Sequence, residues 1–207
     1  MKSDTYQISE YCHISDRKVM RNGALFAEID TANFEGFLKQ LYVMLDCKYP
    51  KFFKMDTLSK LAFMGAELLL SEISENTSEH KRTALVFSNR SSSLETDRKH
   101  QEAISSHGEQ YPSPAVFVYT LPNIGIGEVA IRHKLQTENA FFVFETFEPE
   151  FLQKYTVSLL NENKCDQVLC GWVEVDGNER HGFFYVVGRN GKWKHSAATI
   201  KNFFEHD

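Results

Sequence analysis

Apolar and polar positions along this chain follow two rhythms, one of period two and one near 3.6. Residues 5–14 and 24–30 read as short strands, with Arg21-Asn22-Gly23 as the turn between them. Thr31-Ala32-Asn33-Phe34-Glu35 opens a helix, and Phe37, Leu38, Leu41, Tyr42 and Leu45 follow at helical spacing. Pro50 closes that region. Asp56 offers a capping carboxylate ahead of Leu58, Leu61, Ala62, Gly65, Leu68 and Leu69, the strongest helical pattern in the chain. Ser74 to Lys81 is polar and reads as a loop.

Thr83-Ala84-Leu85-Val86-Phe87-Ser88 is an unbroken apolar run of the kind a buried strand produces. Ser91-Ser92-Ser93 turns the chain into an exposed helix from Leu94 to Ser105. Pro112-Ser113-Pro114 marks an ordered loop before Ala115 to Tyr119, and Pro122-Asn123 precedes a helix ending near His133. Residues 140–147 form a second, nearly continuous apolar strand. Glu148, Pro149 and Glu150 then start a helix, since proline suits a first turn and carboxylates suit the positive end of the helix dipole. Gln167 to Val175 and Gly182 to Gly188 are strands joined by Asp176-Gly177-Asn178 as an antiparallel hairpin. Asn190-Gly191 turns again, and a last helix runs from about Ser196 to Phe204. Strands interleaved with helices, then a hairpin and a helix, predict an α/β fold with a mixed sheet covered on both faces. No repeat or linker divides residues 1–207, which read as one domain.

Composition narrows the function. Apolar residues make up 42% of the 207, enough for a core. The net charge of −5, from 28 acids and 23 bases, exerts no long-range pull on phosphate backbones. Lys81-Arg82 and Lys192/Lys194 are short and interrupted, so nucleic acid is not an expected partner. An acidic protein partner would need a local basic patch. Met1-Lys2-Ser3-Asp4-Thr5 leads into no apolar signal region, and no stretch approaches the roughly 18 apolar residues of a membrane span. Cys12, Cys47, Cys165 and Cys170 are too scattered for a disulfide framework. These features point to the cytoplasm.

Isolated motifs carry little chemistry. Cys165-x4-Cys170 lacks a second Cys or His pair and reads as buried strand thiols, with no metal expected. Gly125-x-Gly127 lacks the third glycine of a dinucleotide site, so no cofactor is expected. Ser91-Ser92-Ser93 is not a Gly-x-Ser-x-Gly elbow. Glu67 and Glu128 read as ordinary solvated carboxylates on helices. No combination supplies nucleophile, base and orienter together.

Three longer segments carry a family resemblance. Lys54-Met55-Asp56-Thr57-Leu58-Ser59-Lys60-Leu61-Ala62 is similar to the R-M-D-R-x-S-x-L-A helix of β-ketoacyl-acyl carrier protein synthases in the thiolase superfamily. Pro112-Ser113-Pro114, followed by Leu121-Pro122-Asn123 and Gly127-Glu128-Val129-Ala130-Ile131-Arg132, resembles that family's P-S-P … L-P-N … G-x-I-A-I-R segment. Lys164-Cys165-Asp166-Gln167-Val168-Leu169-Cys170-Gly171-Trp172-Val173-Glu174 resembles its x-x-D-x-A-L-A-G-G-x-E strand. The resemblance spans roughly residues 50 to 175. It implies an N-terminal, thiolase-like half-fold with a mixed, mostly parallel five-stranded sheet.

The family's nucleophile is missing. Its condensing members carry a cysteine in a T-A-C-A-S-G-like turn, where a helix N-terminus lowers the thiol pKa. Counting on from Arg132 puts that position at about Thr146, between Phe144-Glu145 and Phe147-Glu148. A threonine hydroxyl without an adjacent base is a weak nucleophile, Glu145 and Glu148 oppose an oxyanion, and two phenylalanines replace small residues. The family's two catalytic histidines belong to a second half-fold. His181, His195 and His206 lack its glycine-rich context and read as surface or hairpin histidines. The helix after Thr146 has Phe151, Leu152, Tyr155, Leu159 and Leu160 on one side and Glu150, Gln153, Lys154, Ser158 and Glu162 on the other. It predicts exposure of Lys154 and Glu162.

The resemblance therefore implies a non-catalytic accessory or chain-length-type subunit in fatty-acid, polyketide or aryl-polyene-type biosynthesis. Its partners would be a second copy or a full-length ketosynthase, and an acyl carrier protein. The family pairs the strand before the nucleophile across a two-fold axis, which makes Phe141, Phe142, Val143 and Phe144 the interface candidates. Two other readings stay open. One is a weak acyltransferase or 3-oxoacyl-acyl carrier protein synthase-like enzyme completing its site with a second chain. The other is a module binding acyl chains in a Phe-rich interior.

Overall fold

Three antiparallel strands open the chain in the computed structural model, which describes residues 6–75, 82–105 and 113–206. They are β1 (Gln7–Ser15), β2 (Lys18–Arg21) and β3 (Ala24–Glu28). Asn22 and Gly23 both take left-handed backbone, with φ of 54° and 78°, the conformation a type I′ hairpin turn requires. The strand β2 escapes the sequence pattern because four residues between two turns alternate too briefly to register.

The predicted helix starts form, and so does the Asp56 cap. The Asn33 side chain accepts the Gly36 N–H at 2.8 Å and starts α1 (Phe34–Met44). A 3₁₀ turn at Pro50–Lys54 follows, and the Asp56 carboxylate accepts the Ser59 N–H at 2.9 Å as α2 (Thr57–Glu75) begins. Ser74 thus belongs to a helix rather than a loop; residues 76–81 and Pro112 lie outside the described residues. Then come β4 (Thr83–Asn89), α3 (Leu94–Ser105), α4 (Pro114–Val118), α5 (Ile124–His133) and β5 (Asn139–Val143). The chain closes with α6 (Pro149–Asn161), β6 (Gln167–Asp176), β7 (Glu179–Gly188), β8 (Trp193–Lys194) and α7 (Ala197–Glu205).

One mixed sheet of eight strands runs in the order β3-β2-β1-β7-β6-β4-β5, with β8 paired to β1. The expected α/β class holds, but not the strand count or the mostly parallel pairing. Only β4–β5 and β4–β6 are parallel. Two crossovers through helices produce those pairs, whereas every hairpin adds an antiparallel one. The five strands β1, β7, β6, β4 and β5 are the implied core, and β2, β3 and β8 extend it.

Helices α1, α2 and α5 cover one face and α6 and α7 the other. Alternation sends Leu85, Phe87, Leu169 and Val173 toward α2, and Ala84, Val86, Val168 and Cys170 toward α6. A register shift between Ile8 and Glu10 reverses the parity of β1, so Ile8 and Tyr11 both face α6 and α7. On α6, Leu152, Thr156, Leu159 and Leu160 are buried while Lys154 and Glu162 are exposed, as its amphipathic pattern predicts. The strand expected at residues 140–147 is shorter. It ends at Val143, forms the sheet's edge, and leaves Val143 54% exposed.

One ring sets the distance between α2 and the sheet. Phe184 on β7 is fully buried and lies against Gly65 of α2, Gly171 of β6 and Gly182 of β7. A Cβ at those three positions would come within 2.2, 2.9 and 2.7 Å of the ring. Gly65→Ala therefore forces α2 off the sheet and lowers stability by about 2 kcal/mol or more. Urea denaturation measures this, and adding Phe184→Leu restores part of the loss. A wild-type midpoint for Gly65→Ala contradicts the packing.

Candidate functional site

In open α/β sheets chemistry gathers beyond the carboxyl ends of parallel strands. Here β4 and β5 end together at Asn89 and Val143, β6 runs on to Asp176, and the turn from β5 into α6 carries residues 144–148. The Phe144 N–H donates to the Asn89 carbonyl at 2.9 Å and holds this turn to the end of β4. Pro149 occupies the first turn of α6, and the Glu148 side chain makes no capping bond.

Thr146 projects from this turn into solvent, its Oγ1 3.4 Å from Glu148 Oε1. Glu145 is exposed beside it. A solvated hydroxyl and carboxylate, with no imidazole or amine alongside among the described residues, supply no activated nucleophile. Beneath them Phe147 fills the inside of the turn, stacked on Phe204 of α7 at 4.1 Å between centroids and edge-on to Trp172 at 5.7 Å. Aromatic packing anchors the turn where a tight elbow would need small residues.

The thiols offer no alternative. Cys12 and Cys170 are fully buried and Cys165 is 3% exposed. Burial pushes Cys12 far above the ordinary thiol range and Cys165 and Cys170 up to about 11. Cys47, half-buried, is raised to about 12 by burial and by the Glu67 carboxylate, to which its thiol donates at 3.6 Å. Burial outweighs the arginines acting on Cys12, Cys47 and Cys165, so none is poised as a thiolate. The reading of Cys165 and Cys170 as buried thiols holds.

The histidines and two glutamates differ from their sequence reading. His195 is 6% exposed and His181 is largely covered, because α7 folds back over this face. His206 alone of the three sits at the surface, 3.2 Å from the Asn202 carbonyl. His13 Nε2 lies 3.0 Å from the Phe203 carbonyl, which can only accept, so this nitrogen carries the proton. Nδ1 of His13 then accepts from His181 Nε2 at 3.2 Å. Burial lowers His13, His181 and His195 to about 4, so all three are neutral at pH 7. Glu67 and Glu128 are each 3% exposed rather than solvated. Burial opposes the Glu67 charge, but His133 and Arg132 outweigh it and hold the carboxyl at about 2. Glu128 receives Lys51 Nζ at 2.7 Å and the Tyr49 and Tyr119 hydroxyls at 3.2 Å. These pairs brace α5 against α2 and the 3₁₀ turn; they are structural.

Sequence reasoning also missed a clamp over the β6–β7 turn. Arg90 pairs with Glu179 at 2.5 Å, Arg98 with Asp176, and Arg180 with Glu95 at 3.6 Å, tying that hairpin to α3 and to the turn before it. Partners some 80 residues apart leave no local signal. Clefts of about 220, 400 and 570 Å³ open at the surface with mixed polar and apolar walls, and Thr146 lines none of the three. Among the described residues no three His, Cys, Asp or Glu side chains are grouped to hold a metal, and no helix is long and apolar enough to cross a membrane.

No family model and no curated relative matches the sequence, but solved structures do match the fold. A ketosynthase in complex with its chain length factor from Xenorhabdus doucetiae aligns with a TM-score of 0.58 and 13% identity, over 90% of this chain and 80% of that one. A type II polyketide acyl carrier protein in complex with its ketosynthase aligns at 0.63 and 10% identity, over 89% and 62%. A β-ketoacyl synthase from Burkholderia phymatum gives 0.59 and 11%, over 96% and 61%. The chain thus spans less than two thirds of the latter two chains. The resemblance read from the three sequence segments extends to the fold, which is that of the ketosynthases.

The buried histidines fix a pH dependence. Their folded pKa, about 4, lies below the ordinary 6.5, so their contribution is complete above pH 6.5 and is lost as pH falls toward 4. The loss is on the order of 3 kcal/mol for a single histidine. Urea midpoints followed from pH 7 to 4 should fall steadily, and His195→Phe should flatten the slope. A pH-independent midpoint contradicts their burial.

Proposed function

We propose that this chain is a non-catalytic, ketosynthase-like subunit of accessory or chain-length-factor type. It associates with a full-length ketosynthase in polyketide, fatty-acid or aryl-polyene-type biosynthesis. The observation that carries this reading is the β5–α6 turn, where Thr146 is solvated over a partly buried Phe147; the count from the sequence resemblance assigns the family's cysteine to this residue. A thiolate would need one of four thiols that are instead buried or raised. Ketosynthases in complex with a chain length factor are among the structures sharing the fold.

The edge strand β5 is the interface. Phe142 and Phe144 stack on each other at 5.7 Å and pack with Phe151 and Tyr155 of α6 at centroid distances of 4.8 to 5.1 Å, and Phe141 packs against the opposite core. Val143, Ile131 (63% exposed) and Phe151 remain open beside them. An apolar edge strand with free backbone groups is stable in solution when a partner covers it. The acidic carrier fits a different face, where exposed Val43, Met44 and Phe53 lie close in sequence to Lys48, Lys51 and Lys54.

Co-expression with each full-length ketosynthase of its own genome, and purification through a tag on this chain, tests the reading. One synthase should be retained in a stoichiometric complex. Val143→Asp should abolish retention without shifting the urea midpoint, since that side chain faces solvent. A chain that stays monomeric at micromolar concentration and retains no synthase contradicts the proposal.

A further inference from the structure

The charges flanking β5 specify what kind of strand can pair with it. This inference rests on the β5 edge being the interface. The Glu138 carbonyl accepts from Leu85 at 3.0 Å and the Phe144 N–H donates to Asn89 at 2.9 Å. Residues of even number therefore turn their backbone groups toward β4, and Asn139, Phe141 and Val143 turn theirs outward. The free edge presents three residues, with Glu138 before them and Glu145 after.

A second copy pairing antiparallel across a two-fold axis must set outward residues against outward residues. Centred on Phe141, that pairing places Asn139 against Val143 of the second copy and brings Glu138 within one residue of the copy's Glu145, at both ends. Centring on Phe142 places Glu145 opposite Asn139, again beside Glu138. Neighbouring cations do not neutralise these ends. Glu138, 47% exposed, shares Lys164 with Glu162, both at 3.4 Å. Glu145 has no ion pair among the described residues, and Glu148 adds a further carboxylate at the same end.

We infer that Glu138 and Glu145 act as a charge gate, disfavouring self-pairing through β5 and selecting a partner whose edge strand is apolar at its centre and flanked by Lys or Arg. Like charges near each other at both ends weaken self-association by roughly five- to tenfold at low salt. Basic flanks convert the same positions to attraction.

The chain's own charge-reversed variant is a surrogate for such a partner. Sedimentation at low ionic strength compares wild type, Glu138→Lys/Glu145→Lys, and their equimolar mixture. The mixture should dimerise at least about tenfold more tightly than either protein alone, and the difference should shrink as salt is raised. Val143→Asp in both components should abolish the mixed dimer. A mixture that associates no more tightly than wild type overturns the charge gate. The edge reading would survive that result if retention of a ketosynthase still depended on Val143, so the two failures are distinguishable.

Discussion

The fold depends on how closely α2 can approach the β6–β7 hairpin, and the Phe184 ring determines that distance. Three glycines, from a helix and two strands, leave no side chain where the ring lies. Close packing of this kind is unforgiving, because a single added methyl group has no void to enter. The contact aligns α2 across the sheet, and α5 follows, braced by Glu67 with Arg132 and Glu128 with Lys51. Parallel strands β4 and β5 end at one level, and the β5–α6 turn is displayed there.

That turn is the clearest departure from nucleophilic catalysis. Such a site needs a helix N-terminus aimed at a small, activated side chain and a base within reach. The helix is present, but Phe147 is bound into an aromatic cluster with Phe204 and Trp172, and Thr146 points to water beside carboxylates. The opposite face of α6 is polar and solvated, with Lys154 and Glu162 exposed. Helix α7 packs beside α6 and covers a pair of neutral imidazoles, so the sheet face carrying them is closed within this chain.

Local physics made much of this legible. Asn33 and Asp56 cap the helices their positions announced, Gly177 turns the β6–β7 hairpin with φ of 60°, and the amphipathic pattern of α6 gave its exposed side correctly. The features that escaped depend on long-range pairing. The β1 bulge, the short strands β2 and β8, and the burial of Glu67, Glu128 and His195 are set by residues distant in sequence. At the site, the count from Arg132 falls on the β5–α6 turn, while the aromatic filling beneath Thr146 and the His13–His181 pair needed three dimensions. Inward parity on β1 and β7 was the only signal available for those histidines, and the bulge obscured it.

On the proposed reading, no residue among those described in this ketosynthase-like fold takes up an acyl group. Intact-mass spectrometry after incubation with acyl-carrier-protein and coenzyme A thioesters tests it most directly. An unmodified mass at neutral pH is expected. An acyl adduct mapped to Thr146 or to any of Cys12, Cys47, Cys165 and Cys170 would contradict it.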